Sequence, residues 1–571
     1  MKKVLLLGVL LISLDIQAQI KYPKHLFSSP LEIPLILSGN FGEIRSDHFH
    51  SGIDFKTRGV TGHKIFAVAD GHVSRIKIQS GGYGKALYIE HDNGYTSVYG
   101  HMEDFSPELS HYTKDNQYRL QQHEVNLFPE KNLFPVKQGD FIGYSGNTGS
   151  SSGPHLHFEI RETAEQKPIN GLFFNFDVKD NISPVFKGVY FYPMENTDFV
   201  NNSNEKTRLI PKGSDNNYYL PDEIRVHGKF GIGVEVYDYL NYANNRCGIY
   251  TLTIQVNNEE VYRFVMDGFL FSQSRYINSH IDYEERLRYN RNVHKTFILP
   301  NNRLPLYQGV KNNGIFHFDD DTIHQFLITA TDVHGNASLL RFNAKPSKNE
   351  SPKINNPEKD YTSIMTYNID NYFKTNDVNL IVPSGALYDN IYFTYAKTPL
   401  PANPYSELFH IHDLFIPLHK HITLRIKPAF MPAGVRDKAL MGFINEKNEK
   451  KAAGGKWKDG FIELKTRSFG RYYVTVDTVP PTIQPLNFSK SQNLNNIDRL
   501  IFKVKDDFSG IAEYTAYIDN EWVLLEYDPK NDLMYYIFDD SRLSRGQNHL
   551  LEVFITDNKN NTGSFHCSFF R

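Results

Sequence analysis

The sequence has 571 residues, 40% hydrophobic and 22% charged, with a formal net charge of −3. That length exceeds one hydrophobic core and calls for about three to five domains, while the near-neutral balance excludes a global field for capturing nucleic acid or an anionic membrane. Aromatics reach 14%, with 35 Tyr and 41 Phe, which suits half-buried pleated surfaces and predicts a mainly β protein.

The N-terminus reads as an export signal. Lys2 and Lys3 precede an apolar run over 4–14, followed by small and polar residues around Ala18. The run is too short to span a bilayer and has the flanks of a cleavable signal peptide over 1–18. No cysteine follows it for lipid attachment, and no later apolar stretch is long enough to cross a membrane. The mature chain is therefore expected beyond the inner membrane, in the periplasm or cell envelope, without a membrane span.

From about 40 to 161, short apolar runs alternate with turn signals such as Asp70-Gly71, Gly81-Gly82, Asn93-Gly94 and Gly139-Asp140. This pattern predicts a compact antiparallel sheet domain within 19–180. Residues 103–134 are polar, lack a clear period and read as a long loop or short helical insertion.

Two later regions resemble each other. Segment 231–264 with 324–342, and segment 500–528 with 549–569, each run strand, Asp-containing turn, strand, and a closing strand with a Thr-Asp turn. Similar entries precede them, DNISP at 180–184 and DTVPP at 477–481. They predict immunoglobulin-like β-sandwich modules over 181–350 and 479–571. The β-rich stretch 351–478 between them has no fold legible from its pattern. Cys247 and Cys567 are too few for a disulfide framework or a cysteine metal cluster and are expected as buried thiols.

Three segments carry the chemistry. His50 and Asp54, in HFHSGIDF (48–55), point to one face if the segment is extended, and imidazole with carboxylate is a plausible zinc pair. His155 and His157, in GPHLHFEI (153–160), share one face of a predicted strand while Leu156 and Phe158 face a core. His101 ends the strand YTSVYGHM (95–102). Together they describe His50, Asp54 and one of the paired histidines as ligands of a single Zn2+ with a fourth position open to water. The remaining histidines are left to titrate near neutrality and relay protons.

The ordered segments HSGID (50–54), FAVADGHV (66–73), GYTSVYGHM (94–102), VKQGDFIGYSGNTG (136–149) and SSGPHLHFEI (151–160) resemble the lysostaphin/LytM-type zinc metalloendopeptidases, which cut peptidoglycan peptides. The resemblance implies His50, Asp54 and His157 as metal ligands and His101 and His155 as catalytic histidines. It implies hydrolysis of peptide cross-links, with a peptidoglycan peptide as substrate. The insertion after Met102 departs from the compact family pattern and bears on substrate preference. His48, His63, His72 and His91 match no motif ligand and are expected on surfaces or in turns.

The modules beyond 185 carry no comparable constellation. They read as spacers or binding modules, with cell-wall glycan or other cell-envelope proteins as candidate partners. Trp457 and Trp522 are expected in cores rather than stacked on sugar. The competing reading is a non-catalytic regulator or scaffold that activates another wall hydrolase. Such proteins typically lose metal ligands, whereas all five polar residues are present here.

Overall fold

The computed structural model describes residues 22–347, 360–401, 403–490 and 492–571. The signal-peptide reading at 1–18 lies outside them. Among the described residues, no helix is long and apolar enough to cross a membrane.

The N-terminal domain is one 11-stranded sheet with a central path β1 (Leu37–Gly39), β2 (Ile53–Lys56), β10 (His155–Glu162), β6 (Tyr95–Phe105), β5 (Lys85–His91), β4 (Gly71–Ile78) and β7 (Val125–Leu127). Off this path lie β3 (Lys64–Phe66), β8 (Pro135–Val136), β9 (Phe141–Ser145) and β11 (Lys167–Ile169). All of its pairings are antiparallel. Alternation drives the strands: on β10, Leu156, Phe158 and Ile160 are fully buried in the core, and His155, His157, Glu159 and Arg161 take the opposite face.

Between β6 and β7 the chain forms α1 (Pro107–Leu120), entered through Ser106 with proline in its first turn and closed by left-handed Gln121. The polar segment thus holds one regular helix followed by the short strand β7. The buried face of α1 is Leu109, Thr113 and Gln117, which has the helical spacing but little apolar character.

Beyond residue 180 the chain is also mainly β. One four-stranded sheet, carrying Val185–Pro193 and Phe230–Tyr237, accompanies a nine-stranded sheet carrying Thr251–Val256, His324–Thr331 and Ala337–Pro346. The larger sheet includes parallel pairings to Ala337–Pro346. Three short helices, Phe271–Ser274, Ile277–His280 and Tyr283–Tyr289, interrupt this region. One apolar core runs without a break from Phe27 to Ala344, so the N-terminal sheet and this region share their buried side chains.

Two five-stranded sheets enclose a second core between Met365 and Val474, and two four-stranded sheets enclose a third between Phe488 and Phe569. Cys247 and Cys567 are free and buried. Trp522 is buried and packs on Tyr118 and His123 of the N-terminal domain, while Trp457 lies against the second core under Arg436.

Candidate metal and catalytic site

Register builds the site. His157 lies opposite Asp54 across the β10–β2 ladder and opposite Gly100 across the β10–β6 ladder. His101 follows Gly100 with a φ of 58°, a left-handed conformation rare outside glycine, just before an irregularity in the β6–β9 pairing. His50 sits in the segment leading into β2, and Gly52 separates it from that strand. A Cβ at Gly52 would stand 2.5 Å from the Phe158 carbonyl oxygen and 2.9 Å from His157 Cε1. The glycine between His50 and Asp54 is therefore required by close approach.

His50 Nε2, Asp54 Oδ1 and His157 Nδ1 converge. His50 Nε2 is 3.1 Å from both other atoms, and His157 Nδ1 is 2.9 Å from Asp54 Oδ1. All three residues are buried. His50 Nδ1 donates to the Asn40 carbonyl at 2.8 Å, and a carbonyl only accepts, so a neutral His50 ring presents Nε2 as a bare electron pair. His157 Nε2 donates to Glu159 Oε1 at 2.8 Å, which leaves its Nδ1 bare. Two lone pairs and a carboxylate oxygen packed this closely repel unless a cation or a proton lies among them. Donors held at zinc-ligand distances around one tetrahedral centre sit roughly 3.3 Å apart, close to the separations here. The three residues can hold one metal ion.

Without a metal, the proton takes that place. Burial opposes charge on His157, but hydrogen bonds to Asp54 and Glu159 outweigh it and push its pKa up to about 9. Burial likewise works against the Asp54 carboxylate, yet the surrounding imidazoles, His50 foremost, hold its pKa well below the usual range.

A buried network orients these side chains. Glu159 also accepts from Ser51 Oγ at 2.7 Å, from the Tyr83 hydroxyl, and from Arg161 Nε at 2.5 Å. The Tyr83 ring stacks on His157 with centroids 4.8 Å apart. Arg45 donates to Asp54 Oδ2 at 3.1 Å, on the oxygen that faces away from the other ligands. Asn40, whose carbonyl fixes His50, is held by a two-point amide pairing to Gly248, with both bonds 2.7 Å.

His101 and His155 stand beside the triad, ring centroids 4.8 Å apart. Each ties Nδ1 to a backbone carbonyl at 2.8 Å, of Thr148 and Gly153 respectively, and so leaves Nε2 bare. His155 Nε2 is 3.4 Å from Asp54 Oδ1. Burial, then the charges of His157 and His155, push the His101 pKa down to about 3, which keeps it neutral.

The structure therefore brings His50, Asp54, His101, His155 and His157 to one place. The other histidines differ from expectation in part: His48 is exposed, but His72 and His91 are buried, the latter bonded to the Asp70 carbonyl and Ser97 Oγ at 2.9 and 2.8 Å. Glu159, Arg161, Tyr83, Arg45 and Asn40 were not singled out in the sequence. Glu159 and Arg161 were within reach, because they continue the period-two face of His155 and His157; the others act across strands.

The site opens into a groove of about 1470 Å³. Its lining also comes from other parts of the chain: Arg246, Arg275 and Arg286 from the region after 180, and His419, Lys420 and Arg467 from strands Pro417–Ile426 and Phe461–Ser468 around the second core.

An antiparallel sheet thus gathers two histidines and an aspartate around one position that could hold a cation, with two further histidines alongside. Residues 48–118 and 126–170 match Peptidase family M23, so the likeness read in the sequence is shown for this domain. Residues 362–477, where no fold was legible, match a Zu5-like domain. Among curated relatives, DD-carboxypeptidase/endopeptidase Mpg of Neisseria meningitidis serogroup B is 36% identical over 121 residues, 21% of each chain. Murein hydrolase activator NlpD of Salmonella dublin is 34% identical over 122 residues, 21% of this chain and 25% of that one. The chain thus spans about a fifth of the length of the first of these relatives. Among solved structures, the catalytic domain of the prophage-encoded M23 protein EnpA from Enterococcus faecalis is 26% identical. That alignment covers 24% of this chain and 88% of that one, with a TM-score of 0.18.

Proposed function

We propose that this chain is a zinc-dependent endopeptidase of the bacterial cell envelope that hydrolyses peptide cross-links of peptidoglycan. The observation that carries the reading is the convergence of His50 Nε2, Asp54 Oδ1 and His157 Nδ1 within 3.1 Å of one another beside the His101 and His155 rings. His50, Asp54 and His157 would hold one zinc ion. Bound there, zinc supplies Lewis acidity toward a peptide carbonyl and lowers the pKa of water. His101 and His155 work at Nε2, taking a proton as water attacks and delivering one to the leaving amine. Their Nδ1 bonds to Thr148 and Gly153 hold the rings in the tautomer this requires.

The groove supports an anionic substrate. Around it, His419 has its pKa pushed down to about 4 by burial and by the charges of Arg275, Lys420 and Arg467. Peptide stems bearing free carboxylates complement such a wall. The relative named as a murein hydrolase activator supports the second reading, in which the domain binds a wall hydrolase without cutting.

Digestion of purified sacculi by residues 19–571, with product masses, separates the two. Release of new peptide ends is expected, together with one zinc per chain, and should vanish with a chelator and in His155→Ala. Release that survives both treatments overturns the mechanism. Zinc-free protein that releases nothing favours the regulator.

A further inference from the structure

The two sandwich modules place carboxylates at matching turns, and the donor atoms that lie within 4.8 Å of one another are those of Asp180, Asp332 and His334 in the first and of Asp477, Asp506 and Asp557 in the second. Asp180, Asp238 and Asp332 occupy the entry, first-turn and closing-turn positions of the first copy, and Asp477, Asp506 and Asp557 occupy those of the second. The closing turns match bond for bond. Asp332 Oδ1 accepts from the backbone N–H groups of His334 and Asn336 at 2.9 and 2.8 Å, and its Oδ2 from Asn336 Nδ2 at 2.6 Å. Asp557 Oδ1 accepts from Lys559 and Asn561 at 2.7 and 2.9 Å, and its Oδ2 from Asn561 Nδ2 at 2.6 Å. The entry residues match too, Asp180 Oδ1 accepting from Ile182 and Asp477 Oδ1 from Val479.

The copies part at the first turn. In the second, the backbone of one tight loop satisfies the remaining oxygens. Phe508 and Gly510 donate to Asp506 Oδ1 at 3.0 and 2.6 Å, and Ser509 donates to Asp477 Oδ2 at 3.0 Å. In the first, the corresponding loop runs on to Cys247 and supplies no such set. Asp238 Oδ1 has no hydrogen-bond partner although the residue is 2% exposed, and Asp180 Oδ2 has none either. Burial, then the charges of Asp332 and Asp180, push the Asp238 pKa up to about 9. His334 Nδ1 lies 3.4 Å from Asp180 Oδ2 on the more open side. The buried Asp238 oxygen without a partner, beside the carboxyl groups of Asp180 and Asp332, is stable when a cation supplies what the second copy obtains from N–H groups.

We propose that Asp180, Asp238 and Asp332, with His334 at the rim, form a binding site for one divalent cation of the oxygen-preferring class, calcium, at the junction between the N-terminal domain and the first sandwich. Carboxylate oxygens in a flexible turn are the ligand set calcium takes. Asp180 belongs to the linker leaving the N-terminal domain, and Asp238 and Asp332 to two loops of the sandwich, so one ion ties three segments. This site is separate from the His50–Asp54–His157 triad and stands whether or not that triad is hydrolytic.

The test uses the full chain holding one equivalent of zinc, titrated with CaCl2 by calorimetry and followed by thermal unfolding. One calcium per chain and a rise in Tm of about 5 °C at saturation are expected. Asp238→Asn should abolish both, and Asp506→Asn should keep both. Tb3+ luminescence sensitised by the neighbouring Tyr237 and Tyr239 gives a second readout. It should appear in the wild type, be displaced by calcium, and be absent from Asp180→Asn, which serves if Asp238→Asn does not fold. Absence of calcium binding in the wild type overturns the proposal, as does binding retained in both first-copy variants or lost only in Asp506→Asn.

Discussion

Each imidazole at the candidate site has one nitrogen assigned by a neighbour and the other turned inward. For His157 that neighbour is Glu159, 1% exposed and held as a carboxylate against burial by Arg161 and by His157 itself. Glu159→Gln keeps the shape but removes the charge that makes His157 a strong ligand. Partners of this kind typically contribute about 10–100-fold to metal affinity, so a loss in that range is expected in chelator competition, with the fold intact by circular dichroism. The proton that His157 holds when metal-free gives a second expectation. Its pKa is raised from the ordinary 6.5 to about 9, so metal binding must displace one proton below pH 9. Apparent metal affinity should rise about tenfold per pH unit between 6.5 and 9 and level off above. The sign for stability is opposite. The raised pKa stabilises the metal-free fold below pH 6.5, and this contribution is lost as pH climbs through about 9. Tm of the metal-free protein should therefore fall across that window, and Tm of the metal-loaded protein, whose Nδ1 is occupied, should not follow it.

At the scale of elements, the site depends on how closely β2 and β10 approach. Gly52→Ala places a methyl against the Phe158 carbonyl and the His157 ring, neither of which is a flexible side-chain end. Overpacking of this kind costs about 1–3 kcal/mol. A lowered denaturation midpoint with reduced metal content is expected, and unchanged metal content would show that β10 yields without moving His157. Part of the candidate site was legible because strands alternate: a histidine pair two apart shares one face of β10, whereas His50 lies before β2 and reaches the same place through the close approach at Gly52. Less was legible where backbone does the work. The carbonyls of Asn40, Thr148 and Gly153 set three of the four tautomers, and no side-chain pattern marks them. Helix α1 was obscure for another reason. Its buried stripe of Leu109, Thr113 and Gln117 is mostly polar, so hydrophobic periodicity gives no signal. The core shared between the N-terminal sheet and the next region joins residues from Phe27 to Ala344, contacts too distant in sequence for any local pattern to reveal.

At the scale of the molecule, the last module folds back onto the first domain. Helix α1 is its landing surface: Lys114 pairs with Asp539 at 2.6 Å, Asp115 with Arg542 at 3.0 Å, and Tyr118 lies under the Arg542 guanidinium. Nearby, His123 stacks on Tyr514 and packs against Trp522. From the same module, Lys530 donates to the carbonyls of Asn147, Gly149 and Ser151. That loop supplies the Thr148 and Gly153 carbonyls that orient His101 and His155, so the far end of the chain steadies the two rings proposed to move protons without touching the residues proposed to hold the metal. Lys530→Ala should lower kcat several-fold while metal content stays at one per chain, because only the loop is loosened.

The groove wall works at the same scale but on binding. Lys420 and Arg467 belong to the Zu5-like region, far in sequence from the ligands yet lining the same groove. Arg467 makes no ion pair or hydrogen bond with another side chain among the described residues, and Lys420 spends one donor on the Ser384 carbonyl. Their charge is therefore available to a substrate carboxylate across a partly desolvated groove. Reversing it in Lys420→Glu/Arg467→Glu should raise KM for acidic peptide substrates about tenfold with kcat little changed, since binding is weakened equally in ground and transition states. Because the wall is open to solvent, and screening acts over about 8 Å at physiological ionic strength, the wild-type advantage should shrink as salt is raised. An amidated peptide, lacking the carboxylates, should bind both proteins alike. Equal KM values for wild type and variant on the acidic peptide at low salt would remove the groove wall from substrate selection.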